Sequence, residues 1–169
     1  MSSTLLKEKA NTSHGSIIVV GVGNRLLGDE GVGEHIIDKL SKIPMPTHVS
    51  IINCGCDLFS LMSYLNKPRK IIVVDAIRAG GKPGKIHKFD YSELGVSQAE
   101  MHSAHQVATR DALRLLKQVY PGLANCEITV IGIEPKTIEL STDLSKEVKG
   151  RIADVTRLVL EEISLQPSF

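Results

Sequence analysis

Residues 16–40 read "SIIVVGVGNRLLGDEGVGEHIIDKL". The apolar, β-branched run 16–22 predicts a buried strand that ends in glycines. From Glu30 to Ile43 the pattern becomes helical. Val32, Ile36, Ile37 and Leu40 share one face, and Glu34, Asp38 and Lys39 lie elsewhere. A strand passing through glycines into a helix is the layout of a phosphate-binding loop. The tip of this loop nevertheless carries two acids, Asp29 and Glu30.

The loop fits neither phosphate motif. Gly21 and Gly23 match the first two places of G-x-G-x-x-G, but the third falls on Leu26. Gly23 and Gly28 have P-loop spacing, but Asp29 and Glu30 stand where G-x-x-x-x-G-K-S/T needs Lys and a hydroxyl. A carboxylate there repels phosphate. The plainest role for the acids is local: Asp29 as helix cap and Glu30 in the first turn.

Outward from this unit the chain alternates. Strands are expected at 48–55, 69–77, 85–91 and 126–134, the one at 85–91 a half-exposed edge. Helices are expected at 57–65 with Asp57 as cap, at 103–120, and at 141–163 with Ser141 or Thr142 as cap. Gly150 is a weak point in the last helix. The pattern predicts an α/β fold: a three-layer sandwich of about five mostly parallel strands with helices on both faces. One domain is expected over 16–169, after a polar, mobile tail over 1–15. In such folds ligands bind beyond the carboxyl ends of the strands, here residues 23–31, 54–57, 75–79 and 133–137.

Composition narrows the function. The 169 residues carry 20 Lys and Arg against 19 Asp and Glu, so nothing in the bulk charge favours nucleic acid or an anionic membrane. Aromatic residues make up 4%, with no Trp, which argues against a base-stacking platform. No apolar run approaches the roughly 20 residues that span a bilayer. Three cysteines, two of them (Cys54 and Cys56) two apart, do not form a disulfide framework, so a cytoplasmic location is expected.

Other polar residues accompany the loop acids. Asp75 closes the apolar strand "IIVVD", where an acid is costly unless paired, hydrogen-bonded or metal-bound. "MHSAHQ" places His102 and His105 at the head of a helix. Ser103 as cap leaves His102 outside that helix and makes His105 its second residue. Two carboxylates and an imidazole facing one crevice form an open metal site suited to nickel, zinc or manganese. Cys54 and Cys56 could add thiolates, although a free Cys is more often a small buried apolar residue.

"GVGNRLLGDEGVG", "IIVVDAI", "SAHQ" and "VIGIEP" occur in this order. Together they resemble the nickel–iron hydrogenase maturation proteases, with the pattern G-I/V-G-N-x-L-x-x-D-D/E-G, an Asp closing the third strand and a His opening a helix. The resemblance runs from Ser16 to the final helix. It departs at "NCGCD", where relatives carry a Gly-Gly-Thr type turn, and at Ala108, where they often have Gly.

The resemblance implies an endopeptidase that removes the C-terminal extension of a hydrogenase large-subunit precursor after nickel insertion. It places metal binding on Glu30, Asp75 and His105, catalysis on Glu30 and Asp75, and loop shaping on Asn24 and Asp29. The nickel would come with the substrate protein, and no organic cofactor, nucleic acid or membrane is implied. The mechanism stays open between a metal acting at the scissile bond and a pair of carboxylates working as in an aspartic protease. The rival functions are a non-catalytic nickel-binding chaperone and a nucleotide-binding module. No G-x-S-x-G elbow or H-E-x-x-H helix supports another protease route.

Overall fold

The computed structural model describes residues 15–91, 93 and 104–164, with the side chains of 104–108 excepted. The expected polar tail lies outside these residues apart from Gly15. Five strands form one sheet: β1 (Ile17–Val22), β2 (Val49–Gly55), β3 (Lys70–Ala76), β4 (Ile86–Asp90) and β5 (Glu127–Ile133), in the order β2-β1-β3-β5-β4. Four run parallel and β4 pairs antiparallel with β5, at the half-exposed edge that its alternating sequence predicts. The chain steps from β1 to β2 on one side and then to β3 on the other. The order therefore reverses between β1 and β3, and a crevice opens at their carboxyl ends.

Alternate strand residues feed two cores. On one face Ile18, Val20, Ile71 and Val73 pack with Leu58, Leu61 and with Leu113 and Leu116 of α2 (Ala104–Val119). On the other, Ile17, Val19, Ile72 and Val74 pack with Ile36 and Leu40 of α1 (Val32–Leu40) and with Val155 and Val159 near the C-terminus. This is the expected three-layer arrangement.

The glycines of the opening stretch serve close backbone packing. A Cβ on Gly33 would lie 2.2 Å from the Val22 carbonyl oxygen and 2.6 Å from that of Val74. One on Gly21 would lie 2.4 Å from Ile37. Bare backbone thus seats α1 directly on β1 and β3. Gly23 has φ +141°, and a Cβ there would meet the Glu30 carbonyl oxygen at 1.9 Å. The loop is filled by its own backbone.

Asp29 does not cap α1. It lies in a 3-10 turn, Gly28–Gly31, and Gly31 precedes α1 with no side-chain cap. The Asp29 carboxylate is 1% exposed and accepts backbone N–H bonds from Lys136 (2.8 Å), Thr137 (3.2 Å) and Ser145 (2.7 Å). Ser141 completes the tie: its N–H donates to the Leu26 carbonyl, and its own carbonyl accepts from Gly28.

That tie corrects the expected last helix. Ser141 and Thr142 are not its start, because Ser141 is bridged to Leu27. The helix begins as α3 (Lys146–Lys149), capped by Ser145, and breaks at the weak Gly150 before α4 (Ile152–Ser164). The segment expected as a helix at 57–65 is a 3-10 helix, Leu58–Tyr64, with Asp57 capping Phe59 N–H as foreseen. Its three-residue repeat aligns Leu58 and Leu61, the two residues it buries.

At the opposite end of the sheet from the crevice, Lys70 is 2% exposed and pairs with Glu162 (2.7 Å) and Glu127 (2.8 Å). Lys88 also holds Glu162, at 2.5 Å. Burial pushes the Glu162 carboxyl up, but hydrogen bonds from Lys70 and Lys88 outweigh it and hold the carboxyl below its ordinary value. Among the described residues no helix is long and apolar enough to cross a membrane.

Two stability predictions follow from these ties. Glu162→Gln leaves the buried Lys70 ammonium short of a charge partner and should cost about 3–5 kcal/mol in denaturant unfolding, toward the low end because Glu127 remains. Glu162 is depressed in the folded state. Its contribution is complete above the unfolded carboxyl value of about 4.3 and is lost as pH falls through the folded value, so the gap between wild type and variant should close in acid. Asp29→Asn turns an accepting oxygen into a donor facing backbone N–H groups and should cost about 1–3 kcal/mol by the same measurement.

Candidate active site

The crevice is walled by three strand ends. The loop after β1 brings Glu30, β3 brings Asp75 as its penultimate residue, and the turn after β2 brings Cys56. Asn24 shapes the loop: its side-chain oxygen accepts from Leu26 N–H (3.0 Å), its carbonyl from Leu27 N–H (3.0 Å), and its N–H donates to the Glu30 carbonyl (3.3 Å). Glu30 is 8% exposed and Asp75 1%. Thr109 of α2 donates its hydroxyl to Asp75 Oδ2 at 3.0 Å and so fixes the plane of that carboxylate.

Cys56 reports the charge of the crevice. Its thiol is pushed up, first by burial and then by the negative charges of Glu30, Glu34 and Asp75. Cys56 Sγ lies 3.5 Å from the Gly23 carbonyl oxygen, within the loop itself. Cys54, two residues earlier, is buried in the core, where burial also pushes its thiol up. Cys126 is buried likewise, its thiol pushed up to about 11.

α2 begins at Ala104, which makes His105 its second residue, one turn before Thr109. The His105 side chain and the whole of His102 lie outside the described residues, as does Ser103. Among the described residues no group of three or more His, Cys, Asp and Glu could hold a metal ion. The donor set expected from the sequence includes His105 as its third member. Its two carboxylates, Glu30 and Asp75, are brought to one crevice.

Several residues that position the site carried no local signal. Glu34 reads from sequence as the polar face of α1. In the fold it accepts from Arg25 N–H (3.0 Å) and from the Asn53 side-chain amide (3.0 Å), tying the loop to the end of β2. Thr109 reads as an ordinary helix residue. Glu134 closes the far wall: its Oε2 accepts from Ala79 N–H, Gly81 N–H and His87, which pins the turn after β3.

Such a site, with carboxylates set in a backbone-filled loop, suits a cationic or peptide ligand better than a phosphate. Comparison with known proteins places the chain in a protease family. A sequence model of the hydrogenase maturation protease family matches residues 34–162. A protein of Methanocaldococcus jannaschii, described as a candidate hydrogenase maturation protease, is 34% identical over 152 residues, covering 87% of this chain and 96% of its own. The structure of the nickel–iron hydrogenase maturation protease HybD of Thermococcus kodakarensis superposes with a TM-score of 0.74 at 29% identity, over 89% of this chain and 99% of that one. The Escherichia coli hydrogenase maturating endopeptidase HybD gives 0.73 at 25% identity, over 88% and 91%. The five-stranded, mostly parallel α/β fold is that of these proteases, and the chain belongs to the hydrogenase maturation protease family and is a peptidase.

Proposed function

We propose that the protein is the endopeptidase that removes the C-terminal extension of a hydrogenase large-subunit precursor, and that it recognises nickel already held by that precursor. What supports this reading is the placement of Glu30 in the loop after β1 and of Asp75 at the end of the neighbouring β3, at the switch in strand order, in a chain of this family. The metal is part of the substrate. Glu30, Asp75 and His105 would offer it two oxygens and a nitrogen, a mixed donor set that suits nickel and holds it loosely enough to release the product.

Hydrolysis then needs a base beside the scissile carbonyl. Asp75 or Glu30 takes a proton from water while the water oxygen bonds to the carbonyl carbon. The carbon–nitrogen bond breaks as a proton passes to the leaving amine. Asp75 is held in one orientation by the Thr109 hydroxyl, so it reaches the water without first reorganising.

A protein substrate is also supported by the surface beside the loop. Leu26 and Leu140 are 58% and 86% exposed, and they neighbour one another through the Ser141–Leu26 backbone bond. Large apolar side chains left exposed on adjoining segments of the loop region favour a macromolecular partner over a small solute.

Incubation with a nickel-loaded large-subunit precursor, followed by its intact mass, tests the reading. The wild type should remove a C-terminal tail in one step. Glu30→Gln keeps the shape and removes the charge, and should slow cleavage by about a hundredfold or more with folding retained. His105→Ala should abolish cleavage and His102→Ala should leave most of it. Binding of the precursor without any loss of mass would overturn the peptidase role proposed for this substrate.

A further inference from the structure

A second cavity adjoins the carboxylates. It lies between the 3-10 helix Leu58–Tyr64 and α2 and has a volume of about 110 Å3. Val22, Leu58, Phe59 and Ala112 form its apolar wall. Cys56 and Thr109 belong both to this wall and to the crevice, Thr109 through its bond to Asp75 and Cys56 through its bond to the Gly23 carbonyl. The cavity is therefore continuous with the place where peptide cleavage is proposed.

We infer that this cavity is the specificity pocket of the peptidase, and that it takes the uncharged, apolar side chain of a residue flanking the scissile bond. The inference rests on the function proposed above. Size argues for it. About 110 Å3 is the space of roughly three or four waters, enough for a side chain of about that many heavy atoms. Organic cofactors and drug-sized ligands need about 300 Å3 or more, so this is no cofactor site.

Chemistry points the same way. The Thr109 hydroxyl is already donated to Asp75, and the Asp57 Oδ1 at the rim already accepts Phe59 N–H. Thr109 and one Asp57 oxygen thus have partners within the protein, and the remaining wall consists mostly of apolar surface that gains from being covered. The 3-10 helix holds the pocket's shape through Leu58, which is 4% exposed, whereas the Phe59 ring is 41% exposed and stands at the mouth.

The test uses nickel-loaded precursors that carry Ala, Val, Leu, Phe or Lys at each of the two positions flanking the bond cut by the wild type, with processing rates read from intact mass. At one of these positions the wild type should prefer Val or Leu over Ala by about tenfold or more, the size of discrimination that a few methylenes give in an apolar pocket. Ala112→Leu narrows the pocket and should move the optimum to Ala. Phe59→Ala opens the mouth at an exposed position that the fold tolerates, and should move the optimum toward Phe.

Equal rates across the series, or variants that scale every substrate by the same factor, would overturn the inference. So would a preference for Lys that Asp57→Asn removes, because the pocket would then read charge. Wild-type protein that cuts none of the precursors would overturn the proposed function and this inference together, whereas normal cutting without a shift in preference overturns the pocket alone.

Discussion

The Asp29 carboxylate is the constraint on which the site depends. It is almost fully buried and accepts three backbone N–H groups from the segment 136–145, more than a hundred residues away in sequence. A buried carboxylate is tolerable only when such donors surround it. In return it fixes the loop after β1 against the segment that follows β5. Two strand ends that share no direct pairing, β1 and β5, are thereby locked on either side of β3. Glu30, the next residue, inherits its position from that lock.

The acids at the loop tip thus have different tasks. Asp29 faces inward and holds the backbone, whereas Glu30 joins Asp75 at the crevice. The glycines around them, which resemble a phosphate cradle, admit carbonyl oxygens in place of phosphate: Glu30 against Gly23, and Val22 and Val74 against Gly33. A loop packed against itself in this way presents carboxylate charge on a rigid support, as the proposed encounter with a cation carried by another protein would require. The unpaired apolar side chains at its edge, Leu26 and Leu140, fit the same use.

What was legible in the sequence was local. The β-branched runs placed all five strands within a residue, and the 3.6-residue pattern placed α1 within two residues at its start and three at its end, because each run buries a face that its own composition declares. Asp57 as a cap and Gly150 as a break were legible for the same reason. The start of the last helix was not, since Ser141 looks like a cap and is instead held by Leu26 and Gly28. The site shows the same division. Glu30 and Asp75 could be named from their places at strand ends, and Asn24 only from the family resemblance. Thr109, Glu34 and Asn53 act through partners 34, 9 and 19 residues away, and no local pattern announces such partners.

Whether cleavage depends on the metal within the substrate decides whether the crevice reads a cation. The wild-type protein is incubated with one hydrogenase large-subunit precursor prepared both nickel-loaded and metal-free, and the intact mass of each is followed over time. The nickel-loaded precursor should lose its C-terminal tail and the metal-free one should keep it. Cleavage of both at the same rate would contradict this, because the carboxylates of the crevice would then be reading something other than a cation.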